Sequence, residues 1–127
     1  MSSTYQSFVA ARAIDGDKGT QSITGAGTGN WLSVLVSPGT PIGYVALWNW
    51  QGTYAYLLTD IEMWASDTAG DTTSGRAVKC GETSYDGREP APYVLWCGGV
   101  RRRFVTVKQV SAPSYLCIEE LEIFVQS

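Results

Sequence analysis

Short runs of strand-forming residues, separated by segments rich in glycine, proline, serine and threonine, divide the whole chain. One of these runs, LLTDIEMWAS at 57–66, alternates cleanly, with Ile61 and Met63 on one side and Glu62 and Trp64 on the other. A period of two is typical of a strand with one buried face. Because the runs are short and the turns are frequent, the sequence predicts an all-β fold, an eight-stranded antiparallel β-sandwich or jelly roll.

The other strand-forming runs cover most of the remaining sequence and fall at 31–36, 42–50, 76–80, 93–97, 102–110 and 115–126. In the last of them Leu121, Ile123 and Val125 share one face, while Glu120 and Glu122 point the other way. Such a strand closes the core of a sandwich. The chain has 127 residues and no internal repeat or linker, so we expect a single domain over 1–127.

Three cysteines, Cys80, Cys97 and Cys117, allow at most one disulfide bond within the chain. Their spacing and their apolar contexts, AVKCG and VLWCG, suggest that Cys80 pairs with Cys97. The alternative is a reduced pair of buried thiols. A zinc site is not expected, because the chain contains no histidine and its cysteines lack CxxC spacing.

The charge balance excludes some classes of partner. A net charge of -3 argues against nonspecific nucleic-acid binding, which depends on neutralising many phosphates. The one basic run, Arg101 to Arg103, is interpreted as a solvated strand entry or as a salt-bridge donor to the acidic C-terminal strand, with a phosphate or sulfate patch as the alternative. No apolar run approaches the length of a membrane span, so membrane insertion is not expected.

Enzymatic activity is not expected either. Without histidine there is no proton shuttle at neutral pH to activate a serine or cysteine nucleophile. Asp60 with Glu62, and Glu120 with Glu122, are spaced two apart and share a face of a strand, but a solvated sheet face has the same pattern.

The segment IDGDKGT is a candidate calcium site. Asp15 and Asp17, with nearby carbonyls and hydroxyls, supply the hard oxygen ligands that calcium prefers. The spacing does not match an EF-hand loop, and a local turn at the Asp-Gly pair is the alternative interpretation.

Aromatic residues are concentrated in WNWQGTYAY at 48–56. Rings at a strand end and in the following loop can stack on the apolar face of a sugar or on a protein partner. Trp48 and Trp50 fall on one face and either serve this purpose or cap the core, whereas Tyr54 and Tyr56 are expected to be exposed.

Taken together, ARAIDGD, IGYVALWNW, the Cys80 and Cys97 pair, RRFVTV and LCIEELEIF resemble the F-type lectin, or fucolectin, family within the wider discoidin-like group. The resemblance implies an eight-stranded jelly roll with a structural calcium near one end and loops that bind fucose-containing glycans. Modules of this kind are extracellular or lie on the cell surface, here as part of a longer or processed protein. The family's cysteine near the last strand usually bridges to the N-terminal loop. In this chain TQSITGAGTG contains no cysteine. Cys117 is therefore expected to be a buried free thiol or an intermolecular link.

The family's calcium ligands carry over to five positions. An aspartate in the Asp-Gly turn corresponds to Asp15, and main-chain carbonyls around it to those of Arg12 and Asp17. A later loop serine corresponds to Ser22, and a glutamate in the last strand to Glu120.

The family's fucose ligands do not carry over. The strand end that holds asparagine and arginine in the family corresponds to Asn49 and Trp50, the aspartate position to Gly52, and the second basic position falls near Leu57. Losing these groups removes the placed donors and acceptors that select a sugar hydroxyl. The resemblance therefore implies altered glycan specificity.

Two hypotheses follow for the function. The first is a non-catalytic carbohydrate-binding module that uses Trp50, Tyr54 and Tyr56 with the neighbouring amides of Asn49 and Gln51 to bind a glycan or glycoprotein. The second is a protein-interaction or structural module that has lost sugar binding and docks another protein chain through its aromatic residues.

Overall fold

The computed structural model describes residues 1, 14, 16, 22–25, 27, 29–48, 60–83, 92–110 and 116–126. Within these residues the chain forms nine strands and no helix, and every strand pairing is antiparallel. The strands are β1 (Ser22–Ile23), β2 (Trp31–Leu35), β3 (Pro41–Trp48), β4 (Ile61–Ser66), β5 (Val78–Thr83), β6 (Tyr93–Arg101), β7 (Phe104–Gln109), β8 (Cys117–Ile118) and β9 (Glu120–Val125).

The prediction of an antiparallel β-sandwich is confirmed. A four-stranded sheet has the order β2-β7-β4-β5 and a three-stranded sheet has the order β6-β3-β9, while β1 pairs with β8 alone. The described strands number nine because the final run divides at Glu119, whose amide donates to the carbonyl of Trp48 at 2.9 Å, and because β1 lies outside the predicted strand runs.

The hydrophobic core is built from the alternating positions of both sheets. Fully buried apolar side chains of these two sheets include Leu32, Ile42, Val45, Leu47, Ile61, Met63, Val105 and Val107. Burying each such side chain stabilises the folded chain by about 1.5–3 kcal/mol. The predicted alternation is confirmed over 61–64, since Ile61 and Met63 are buried in this core while Glu62 and Trp64 are half-buried on the other face.

The predicted disulfide bond is present between Cys80 in β5 and Cys97 in β6, with an S–S distance of 2.09 Å. These strands are edges of different sheets, so the bond joins the two layers of the sandwich. Cys117 lies in β8 as a free and fully buried thiol. Its burial agrees with the first of the two alternatives for this residue.

The two ends of the sandwich differ in their connections. At the end that we call the turn end, residues 102–103 join β6 to β7, residues 36–40 join β2 to β3, and residues 67–77 join β4 to β5. The strand ends that bound residues 49–60, 84–92 and 110–116 all lie at the opposite end, which we call the long-loop end. Long loops on a rigid scaffold are a frequent location of binding sites.

The connection between β4 and β5, residues 67–77, folds back over the outer face of the four-stranded sheet. The Gly70 amide donates to the Ser33 hydroxyl at 2.8 Å, and Lys108 Nζ donates to the Thr72 hydroxyl at 3.2 Å. Gly70 has a φ of 76° and packs directly on the ring of Trp31.

No helix among the described residues is long and apolar enough to cross a membrane.

Candidate functional site

Trp48, the last residue of β3, fixes the point where the chain enters the predicted binding segment. Its indole N–H donates to the Glu122 carboxylate, and its carbonyl accepts from the Glu119 amide at 2.9 Å. The side chain is half-buried against β9. This arrangement supports the interpretation that Trp48 caps the strand end instead of contacting a ligand.

The predicted ligand residues follow directly after this fixed strand end. Asn49, Trp50, Gln51, Tyr54 and Tyr56 lie outside the described residues. The structure therefore defines the strand end before them and the start of β4 after them, both at the long-loop end.

The Asp-Gly turn meets the last strand at the same end. The amide of Gly16 donates to Oε2 of Glu120 at 3.3 Å, across 104 positions of sequence. Glu120 is the first residue of β9 and only 6% exposed. Contact between this turn and this glutamate is what the family resemblance implied for the calcium site.

The other predicted calcium ligands are only partly described. Ser22 lies in β1, is buried, and donates from its hydroxyl to the carbonyl of Ile118 at 3.2 Å, which leaves the oxygen lone pairs of Ser22 available. Arg12, Asp15 and Asp17 lie outside the described residues.

The chemistry of this corner suits a hard cation as far as it is described. A buried carboxylate beside a backbone turn is a normal part of a calcium site. Among the described residues alone, no cluster of three acidic or cysteine side chains is able to hold a metal.

The carboxylates that share a strand face make structural bonds. Glu62 accepts from Lys79 at 2.9 Å and from Trp64 at 3.0 Å. Burial opposes ionisation of Glu62, but these hydrogen bonds outweigh it and hold the pKa of the carboxyl below its usual value. Glu122 is engaged by Trp48 in a similar way. These bonds favour the interpretation of Glu62 and Glu122 as sheet-face residues.

A second surface is visible only in the folded chain. Trp96, Tyr44 and Phe124 are direct cross-strand partners on β6, β3 and β9, and form a line across the outer face of the three-stranded sheet that we call the aromatic row. Their exposed fractions are 47%, 50% and 50%, and the ring centroids of Tyr44 and Trp96 lie 4.5 Å apart. A shallow depression of about 280 Å³ lies beside the row, between Val125 and Gln126 on one side and the two rings on the other.

Sequence reasoning missed this row. Alternation in 42–48 and 93–97 does place Tyr44 and Trp96 at outward positions, and that signal was readable. What the sequence lacks is the register, which aligns three aromatic side chains from distant strands.

The basic run makes different contacts from those predicted. Nη1 of Arg101 donates to the carbonyl of Gly39 at 2.5 Å, and Nε of Arg102 donates to the carbonyl of Arg76 at 2.9 Å. Arg101 pairs with the start of β3, whereas Glu120 pairs with its end, so the run and the glutamates lie at opposite ends of the sandwich. The interpretation as a salt-bridge donor to the acidic C-terminal strand is wrong for the described residues, whereas the exposed side chains of Arg101 and Arg103 agree with the interpretation as a solvated strand entry.

Comparison with known proteins adds the fold relationship. No family model matches the chain, and no curated protein matches it. The lectin domain of lectinolysin, solved in complex with Lewis B antigen, is 21% identical with a TM-score of 0.81, over 99% of this chain and 90% of that chain. A serum F-lectin (fucolectin) from the striped bass Morone saxatilis is 20% identical with a TM-score of 0.82, over 99% of this chain and 44% of that chain.

The fold is that of the F-type lectin modules. The resemblance predicted from the sequence is therefore confirmed at the level of the fold. A Clostridium perfringens CBM32 module in complex with GalNAc-β-1,3-galactose has the same architecture, at 15% identity and a TM-score of 0.78, over 96% of this chain and 90% of that chain. In all three comparisons the match extends over nearly the whole of this chain.

Proposed function

We propose that this chain is a non-catalytic, lectin-like module that binds a glycan at its long-loop end. The observation that carries the proposal is the fold, which matches, over nearly the full length of the chain, modules solved in complex with Lewis B antigen and with GalNAc-β-1,3-galactose. A fold alone does not determine a ligand, so the proposal depends on the residues at the long-loop end.

Three aromatic side chains and two amides supply the proposed glycan contacts. Trp50, Tyr54 and Tyr56 offer ring faces for the apolar side of a sugar, and Asn49 and Gln51 offer donors and acceptors for its hydroxyls. The fixed position of Trp48 immediately before them supports this assignment, because a rigid strand end limits the entropy lost on binding.

The proposed specificity differs from that of the family. Trp50, Gly52 and Leu57 stand where the family has its charged fucose ligands, and the chain has no histidine. A site without those groups cannot discriminate fucose by directional hydrogen bonds. We therefore propose a glycan that is recognised mainly by stacking.

A structural calcium is part of the same proposal. Asp15, the carbonyls of Arg12 and Asp17, Ser22 and Glu120 form the proposed ligand set, and the hydrogen bond between Gly16 and Glu120 supports it. Bound calcium would supply positive charge that ties the N-terminal turn to β9.

The disulfide bond is consistent with an extracellular or cell-surface location, since such bonds persist in oxidising compartments.

A glycan-array screen of the protein in millimolar calcium tests the proposal. We expect binding to at least one glycan class, retained in Tyr44→Ala and reduced by up to roughly tenfold in Tyr54→Ala, because a stacked ring contributes about 0.5–1.5 kcal/mol. Tyr44 is the matched control, since it is an exposed tyrosine of the aromatic row, away from the long-loop end. No signal from a folded, calcium-loaded sample would contradict the proposal.

The second candidate function is a protein-interaction module, and the aromatic row is the observation that favours it. Trp, Tyr and Phe are enriched at the centres of protein interfaces. On this alternative, binding to another protein chain is lost in Trp96→Ala and unaffected in Tyr54→Ala, the reverse of the pattern expected for the glycan site.

A further inference from the structure

Four arginines gather at the turn end, opposite the proposed glycan site. Arg101, Arg102 and Arg103 lie at the junction of β6 and β7, and Arg76 lies in the connection between β4 and β5. The side chain of Arg102 joins the two segments through the carbonyl of Arg76, at 2.9 Å. The side chains of Arg76, Arg101 and Arg103 are exposed.

The charge of this group is poorly neutralised. Two of the guanidiniums are held by uncharged acceptors, since Arg101 bonds the carbonyl of Gly39 and Arg102 bonds the carbonyls of Arg76 and Arg101. Carbonyl acceptors leave the positive charge in place, and arginine does not lose its proton in proteins. On a chain with a net charge of -3, this is a marked local concentration of positive charge.

Asp67 is the carboxylate paired with this group among the described residues, through Arg76 Nε at 2.6 Å. The hydrogen bond from Arg76, with smaller contributions from the charge of Arg102 and the backbone amide of Arg103, holds the pKa of Asp67 below its ordinary value. The ion pair between Arg76 and Asp67 is thus an example of a carboxylate bound by this arginine group. Arg76 bonds this carboxylate and Arg102 adds its charge, while Arg101 and Arg103 expose further donors for anions.

The guanidiniums of Arg76, Arg101 and Arg102 are held by hydrogen bonds, and this points to a particular kind of ligand. Arginine presents a planar fork that binds sulfate, phosphate or carboxylate through paired hydrogen bonds, and backbone contacts that hold the side chain reduce the entropy lost on binding. Diffuse attraction to a charged surface needs only positive charge, which lysines such as Lys79 and Lys108 also supply. Those lysines lie on the outer face of the four-stranded sheet.

We propose that the turn end is a second binding site that takes a sulfated polysaccharide through Arg76, Arg101, Arg102 and Arg103. The guanidiniums of Arg101 and Arg102 lie over two different connections, 36–40 and 67–77, so they are spread along the end instead of converging on one point. A polymer with repeated sulfate esters matches such a spread better than a single small anion. The site is independent of the proposed glycan site at the long-loop end.

Binding to dextran sulfate, with uncharged dextran beside it, tests the proposal by titration calorimetry. We expect the wild-type protein to bind dextran sulfate only, with an affinity that falls as salt is added. In Arg101→Gln/Arg103→Gln the affinity should fall roughly tenfold or more, because each lost charged hydrogen bond is worth about 1.5 kcal/mol or more. Both side chains are exposed, so the fold is expected to tolerate the change, which an unaltered thermal midpoint verifies.

The matched control is Lys79→Gln/Lys108→Gln, which removes the same charge from a different surface and should bind dextran sulfate nearly as well as the wild type. The charge-preserving variant Arg101→Lys/Arg103→Lys should lose part of the affinity, since it keeps the charge and removes the fork. An equal loss in the lysine control would overturn the proposal, as would binding to phosphatidylserine vesicles or to single-stranded DNA without binding to dextran sulfate.

Discussion

At the scale of single residues, Gly70 shows how tightly the covering connection is fitted to the sheet. A Cβ added at Gly70 would lie 2.5 Å from the ring of Trp31, and its φ of 76° is in the left-handed region. Gly39 has the same φ, but a Cβ added there meets nothing within 4 Å. Comparing a substitution at Gly70 with one at Gly39 therefore separates the cost of the left-handed backbone from the cost of a steric clash.

We predict that Gly70→Ala lowers the free energy of unfolding by about 2–4 kcal/mol, and Gly39→Ala by about 1 kcal/mol. The first change adds a clash to the cost of the left-handed backbone, and the second adds only that cost. Urea unfolding of both variants measures the difference. Equal losses would show that the contact between Gly70 and Trp31 carries no stability.

The buried thiol of Cys117 makes the stability of the fold depend on pH. Burial, with a smaller contribution from the Glu119 carboxylate, raises the pKa of the Cys117 thiol to about 12, from an ordinary value of 9.0. Above the ordinary pKa the unfolded chain releases this proton while the folded chain keeps it, so stability falls as the pH rises from about 9 toward 12.

At about pH 10.5 the raised pKa of Cys117 makes the free energy of unfolding about 2 kcal/mol lower than at pH 8. The measurement is urea unfolding across this range, compared with Cys117→Ala, whose stability should decline less steeply by that amount. A thiol reagent should also label the native protein at pH 8 only after unfolding. Rapid labelling of the folded protein would contradict the buried position of Cys117.

At the scale of elements, the disulfide bond joins β5 to β6 and thereby the two sheets. Its two cysteines are 17 positions apart, so in the chain-entropy model the bond stabilises the fold by about 3 kcal/mol. We predict a loss of that size in Cys80→Ala/Cys97→Ala, measured by urea unfolding. Added reductant should destabilise the wild type by a similar amount and leave the variant unchanged; a variant as stable as the oxidised wild type would refute this.

The elements also show how far sequence reasoning reaches. Alternation within a run predicted β4 and its buried face, because the period of two is a local property of the chain. The division of the last run at Glu119 was not predicted, because it follows from a hydrogen bond to Trp48, 71 positions earlier. The aromatic row was missed for the same reason, since register is set by pairing between distant strands.

At the scale of the whole molecule, the proposed calcium joins the first turn of the chain to its last strand. We predict that millimolar calcium raises the thermal midpoint by about 5–10 °C over a chelator-treated sample, by mass action on the folded state. In Glu120→Gln this difference should largely disappear, because the variant loses the buried carboxylate beside Gly16.

The control for this experiment is Glu82→Gln, which removes a well-exposed carboxylate that pairs with Lys79. Its response to calcium should equal that of the wild type. Identical thermal transitions of the wild type in calcium and in chelator would contradict the calcium proposal.

The central claim is that the long-loop end binds a glycan. The most direct measurement is a two-dimensional amide NMR titration of the calcium-loaded protein with a glycan that is positive on the array. The account predicts shifts at Trp48, Asp60 and the residues between them, with Tyr44 and Arg103 unchanged. Shifts confined to Tyr44, Trp96 and Phe124, or to the arginines of the turn end, would contradict it.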